Sequence, residues 1–106
     1  MNQETGSNFT AMAEATLARI ETALDDAGFD LESPADGILE IEFEDGAKMV
    51  INRHNVAREI WVAARSGGFH FRLQGDRWVD TRSGDELYAS LGRLVSEQSG
   101  LDFRIG

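Results

Sequence analysis

The sequence predicts an α+β fold: a two-layer α–β sandwich, with N- and C-terminal helices packed on one face of an antiparallel sheet of about five or more strands. Three observations carry this. Apolar residues step by three and four near both ends of the chain, they alternate with polar ones through its middle, and the alternating runs are joined by short connections. Short connections favour antiparallel neighbours, because a parallel pair needs a long crossover. Two helices then cover one face and leave the other to solvent. At 106 residues the chain reads as one domain, 1–106, with polar residues 1–7 expected to fray.

Taken in order, Phe9, Ala13, Leu17, Ile20, Leu24 and Ala27 mark the buried stripe of a first helix beginning near Asn8. Ser7 or Asn8 is its expected cap and Gly28 its stop. Residues 28–37 read as a loop. Ile38–Phe43 then alternates, with Leu39, Ile41 and Phe43 on one face and Glu40 and Glu42 on the other. A two-residue turn at Asp45-Gly46 would mix charge with apolar groups on one face. A three-residue turn, Glu44-Asp45-Gly46, instead pairs Ile41 with Met49, Leu39 with Ile51 and Glu42 with Lys48, and is the expected register. Strands at Lys48–Arg53, Glu59–Ala64 and Phe69–Leu73 follow, the last after a Gly67-Gly68 loop, and Gly75-Asp76 turns the chain into Arg77–Asp80, with Trp78 opposite Leu73. Ser83 with Glu86 reads as a capping box for a second helix burying Leu87, Leu91, Leu94 and Val95 and stopping at Gly100.

Charge is placed very unevenly on this frame. Residues 1–46 hold twelve acids and one base, whereas 47–106 hold seven acids and nine bases. Between Arg19 and Lys48 stand Glu21, Asp25, Asp26, Asp30, Glu32, Asp36, Glu40, Glu42, Glu44 and Asp45, with no base among them. Such a surface repels nucleic acid and anionic membranes and attracts basic proteins or multivalent cations. Asp25 and Asp26 fall in the last helical turn, where the helix dipole disfavours negative charge. Glu14, Glu21 and Asp25 share one side of the helix. Carboxylates spaced along strands are too far apart to form one cage, so loose, hydrated sites for hard or borderline cations are expected.

The absence of cysteine excludes disulfides, thiolate chemistry and a cluster held by the chain's own thiols. No apolar run is long enough to span a bilayer and no export signal is legible, so a cytoplasmic protein is expected. Enzyme chemistry is not expected, and no catalytic residue is assigned: there is no phosphate loop, no nucleophile motif and no room for a deep carboxylate cleft. His54 and His70 read as ordinary surface histidines. On the solvent face of the sheet, Val50, Asn52, Trp61, Ala63, His70 and Arg72 fall together, and an exposed Trp beside Asn and Arg has the composition of an interaction hot spot. If that face is open, losing Trp61 should hardly affect stability.

The runs GILEIEFEDGAKMVINR (37–53), EIWVAARSGGFHFRL (59–73) and GDRWVDTRSGDELYASL (75–91) resemble the bacterial frataxin family. Asn52-Arg53, Ile60-Trp61, Gly67-Gly68 with Phe69-His70-Phe71, Trp78 and Ser83-Gly84 stand where that family has them, and the resemblance spans residues 7–98. It implies the same sandwich. It further implies weak, carboxylate-bound iron (Fe²⁺/Fe³⁺) on an acidic ridge that docks on a cysteine desulfurase and modulates cluster formation on an iron–sulfur scaffold protein. Expected iron ligands are Glu14, Glu21, Asp25, Asp26, Asp30 and Glu32. Expected partner contacts are Glu21, Asp25, Asp26, Asp36, Glu40, Glu42, Asn52 and Trp61, the last two on the family's second interaction surface. Thr22 and Thr10 replace an acid and a His of some relatives, the acidic loop is shorter, and Glu40 and Glu42 add charge. A monomer is expected, with metal-driven oligomers as a variant. A ferroxidase or an iron store or carrier is the alternative within the family, and an acidic chaperone or DNA-mimic inhibitor the alternative outside it.

Overall fold

The computed structural model describes residues 4–106, with side chains from Asn8 onward. Eight elements follow one another: α1 (Glu4–Asp26), β1 (Asp30–Glu32), β2 (Ile38–Glu42), β3 (Lys48–His54), β4 (Glu59–Ala64), β5 (Gly67–Gln74), β6 (Arg77–Asp80) and α2 (Leu87–Ser99). The six strands form one antiparallel sheet in sequence order, β1 at one edge and β6 at the other. Both helices lie on one face, as the periodicity predicts.

The core lies between the layers. Leu39, Ile41, Met49, Ile51, Ile60, Val62 and Phe71 meet Ile20, Leu24, Leu87, Leu91, Leu94 and Val95, all essentially inaccessible to water. The β2–β3 register is the three-residue one: Ile41 faces Met49, Leu39 faces Ile51 and Glu42 faces Lys48. Gly46 takes the left-handed conformation (φ 87°) that this turn requires. Leu73 faces Trp78 across the β5–β6 hairpin.

Five local expectations are corrected. Residues 28–37 are not all loop, because Asp30–Glu32 adds to the sheet as β1; a strand of three residues is too short to show alternation. Gly67 and Gly68 belong to β5, opposite Ala64 and Ala63, and the turn is Arg65-Ser66. The first helix runs through Ser7 and Asn8, starting at Glu4, so neither residue caps it and 4–7 are helical; residues 1–3 lie outside the described residues. An acid in a first helical turn is favoured by the dipole. The capping box is not formed: Glu86 is itself the N-cap of α2, accepting from Tyr88 N and Ala89 N, while the Ser83 hydroxyl accepts from Asp85 N. Finally, Ala27 is exposed and Thr16 takes its place in the buried stripe of α1, because the Thr16 hydroxyl accepts the indole N–H of Trp78 at 2.9 Å. A buried indole needs such an acceptor.

Beyond Gly100 the chain packs back on the helices. Phe103 is buried edge-on to Phe29, and its amide and carbonyl both bond the Ser96 hydroxyl.

Candidate functional site

The carboxylate surface is built by the β1 edge. In β1 and β2 the core side is taken by Leu31, Leu39 and Ile41, so Asp30, Glu32, Glu40 and Glu42 must project from the opposite, helix-free face. Antiparallel pairing then sets Asp30 directly opposite Glu42, and Glu32 directly opposite Glu40. Like charges in direct register destabilise a sheet by a few tenths of a kcal/mol per pair. These four acids and Lys48 surround a shallow groove of about 310 Å³. Lys48 lies opposite Glu42 but bonds diagonally, its Nζ 3.8 Å from Glu40 Oε1.

Glu21, Asp25 and Asp26 are exposed on the last turns of α1, in the helical layer. The acids therefore occupy two flanks of one rim, helix acids on one side of the β1 edge and strand acids on the other. Among the described residues, Glu21, Asp25, Asp26, Asp30, Glu32, Glu42 and Glu44 have no ion-pair partner. Others are neutralised by the arginines of the later half. Asp45 accepts from Arg65 Nη2 at 2.7 Å and from Ala47 N at 3.0 Å, and these bonds hold its carboxyl below the ordinary value. Asp36 accepts from Arg53 Nη2 at 2.9 Å, and Glu14 lies 3.7 Å from Arg53 Nη1.

Arg53 is the clamp at that end. Its side chain is only 10 % exposed, its Nε donates to Asn55 Oδ1, and its amide donates to the carbonyl of Gly37. A Cβ on Gly37 would stand 3.0 Å from the guanidinium carbon, and φ is +82°, so a side chain there would be strained and would push the guanidinium aside. Glu14 and Asp36 are thereby structural partners of Arg53 in the free chain. Among the described residues no group of three or more His, Cys, Asp or Glu converges as a metal cage. The donor set fits hard cations held singly and partly hydrated.

The open face of the sheet carries a second constellation. Asn52, Trp61 and His70 lie in one register row. Trp61 is sandwiched between two imidazoles, with His54 stacked at 3.8 Å and 18° and His70 at 4.2 Å and 9°. Its Nε1–H donates to Glu59 Oε1 at 2.7 Å, and Arg72 Nη2 donates to Glu59 Oε2 at 2.6 Å. Burial pushes the Glu59 carboxyl up, but the bonds from Trp61 and Arg72 outweigh it and the net shift is below the ordinary 4.5. The parity expected for this face holds. The histidines are not free surface residues, however, and Glu59, 5 % exposed, is a buried acid that alternation along β4 does not single out. Its only sequence signal is its register opposite His54 and Arg72.

Comparison with known proteins identifies the family. The chain is 54 % identical over 96 residues to the iron-sulfur cluster assembly protein CyaY of Dechloromonas aromatica, covering 89 % of this chain and 91 % of that one. It is 52 % identical over 103 residues to the protein of the same name from Ralstonia nicotianae, covering 92 % and 91 %. Among solved structures, frataxin from Psychromonas ingrahamii superposes with a TM-score of 0.86 at 28 % identity, over 95 % of this chain and 97 % of that one. The trimeric frataxin of Saccharomyces cerevisiae, complexed with ferrous iron, superposes at 0.74 over 85 % and 87 %; at 24 % identity it supports the fold alone. The Frataxin-like domain model matches residues 2–101, and the chain belongs to the frataxin-like family.

Proposed function

We propose that the chain is an iron-binding regulator of iron–sulfur cluster assembly, which docks its acidic rim on a cysteine desulfurase and its scaffold protein. It works in the cytoplasm as a monomer and performs no catalysis of its own. The observation that carries this is the unpaired charge at the β1 edge. Two like-charge register pairs and seven carboxylates without ion-pair partners, counted among the described residues, weaken the free chain. A basic groove on a partner, or cations, would relieve that repulsion. The names of the bacterial relatives place them in the same process.

Iron in this reading is exchangeable cargo, held at single carboxylates such as Asp25, Asp26, Asp30 and Glu32. A ferroxidase or an iron store would need bridged metals, which the two-flank arrangement of donors does not favour.

The test is Asp25→Lys with Asp26→Lys. Lysine in the last turn of α1 suits the helix dipole, so the fold should survive. Desulfurase affinity should fall at least about tenfold, and wild-type binding should weaken steeply as salt screens the rim over about 10 Å at 0.1 M. Unchanged affinity in the folded variant overturns the docking role.

A further inference from the structure

The open-face stack contains an interaction that the acidic rim does not explain. The Nδ1 of His54, the last residue of β3, accepts the backbone N–H of Ala57 at 3.1 Å across the β3–β4 loop. That bond needs a lone pair on Nδ1, hence a neutral ring protonated on Nε2; an imidazolium has only donors. One proton therefore sets N–H against N–H at the point that closes the loop.

Which side gives way follows from the surroundings. The ring lies against Trp61 at 3.8 Å and opposite Glu59 on β4, and both an indole face and a carboxylate hold a cation. Arg72 of β5 shares Glu59, His70 of β5 lies beyond Trp61, and Arg53 and Arg58 flank the ring in sequence. The loop is tied at Asn55, whose Oδ1 accepts from Arg53 Nε at 3.0 Å, but its tip beyond Asn55 has less to hold it. Val56 at its tip is 93 % exposed, and Arg58 sits in the left-handed region at φ 57° without being glycine. Ala57 and Arg58 form one wall of a cleft of about 550 Å³ whose other walls include Phe9, Arg72 and Leu73.

We propose that the β3–β4 loop is a pH-operated latch, closed by neutral His54 and released when His54 is protonated, which widens the cleft over Phe9. The latch uses none of the rim carboxylates and so goes beyond the docking role. His70 responds differently. Its Nδ1 is 3.8 Å from Glu59 Oε1, so its protonation adds to an ion pair and leaves the loop alone.

The test is NMR on the ¹⁵N-labelled full chain across the range in which histidines charge, about pH 5.5 to 8. The through-bond coupling between Ala57 N–H and His54 Nδ1 should be present at high pH and vanish with the His54 ring titration. Ala57 exchange, corrected for its intrinsic rate, should then rise roughly fivefold. His54→Asn keeps an acceptor that cannot titrate, so it should hold the loop at both ends of the range. His54→Phe keeps a stacking ring without an acceptor and should leave the loop open throughout. The latch is overturned if Ala57 ignores the His54 titration, if the ring turns while the loop stays closed, or if His54→Asn shows the same pH response as wild type.

Discussion

Trp61 shows how the direction of a single residue can be legible in the sequence while its contacts are not. Alternation along β4 places it on the open face, and the structure agrees. Alternation cannot reveal that two imidazoles from neighbouring strands close on its faces, or that its indole N–H satisfies the buried Glu59. Each stacked pair is worth about 0.5–1.5 kcal/mol beyond area burial, and a buried carboxylate losing a donor costs a further ~1–3 kcal/mol. The sequence alone predicts almost no effect of Trp61→Ala. The structure leads us to expect a loss of about 2 kcal/mol or more, read from urea unfolding at constant m-value. A loss below about 0.5 kcal/mol, the scatter of ordinary surface substitutions, would show that the stack contributes nothing. Arg53 teaches the same lesson from the other side. In sequence it is one of ten bases, and in the fold it is a nearly buried clamp for Asp36, Glu14 and Gly37.

At the scale of elements, the helices and the long strands were legible because each repeats its pattern over several turns or pairs. The short pieces were not. β1 has three residues, and its pairing with β2 sets acid against acid, a choice no propensity argument makes. A charged, very short strand is nonetheless a sound way to end a sheet, since it discourages pairing with another chain. The segment after α2 carries no periodic signal either, yet it crosses the helix at Gly92. A Cβ there would stand 3.3 Å from the Phe103 carbonyl oxygen and 3.5 Å from Arg104 Cα. We expect Gly92→Val to lift this segment and to destabilise by about 1–3 kcal/mol, as overpacking does. Deleting residues 101–106 in the same variant should then add little, because both changes remove one contact. Thermal melts of the two single changes and the double change decide it, and additive losses would mean that the valine acts elsewhere.

For the whole molecule the question is whether the charge of −9 acts as a field or as separate groups. Arg53, Arg65 and Lys48 neutralise the ends of the acid surface at Asp36, Glu14, Asp45 and Glu40. The middle, from Asp25 to Glu32 with Glu42, keeps its charge among the described residues. Repulsion of about 0.5–1 kcal/mol relieved by screening would raise Tm by roughly 3–6 °C in a chain of this size. We expect that rise between low and moderate salt, and a larger one with millimolar divalent cations if, as proposed, they bind the folded rim. A melting temperature indifferent to both would show that the carboxylates do not act together. Among the described residues no helix is long and apolar enough to cross a membrane.

By itself the sequence determined the sandwich, the register of the β2–β3 hairpin, the face on which Trp61 stands and the existence of an acid-rich half. All of these follow from periodicity and charge count, which are properties of neighbours along the chain. Only the tertiary structure decided which acids remain unpaired, that they lie on two flanks of an edge strand, and that His54 and Glu59 join His70 at Trp61. Those are contacts between strands, set by where side chains from distant positions meet, and a one-dimensional pattern holds no record of them.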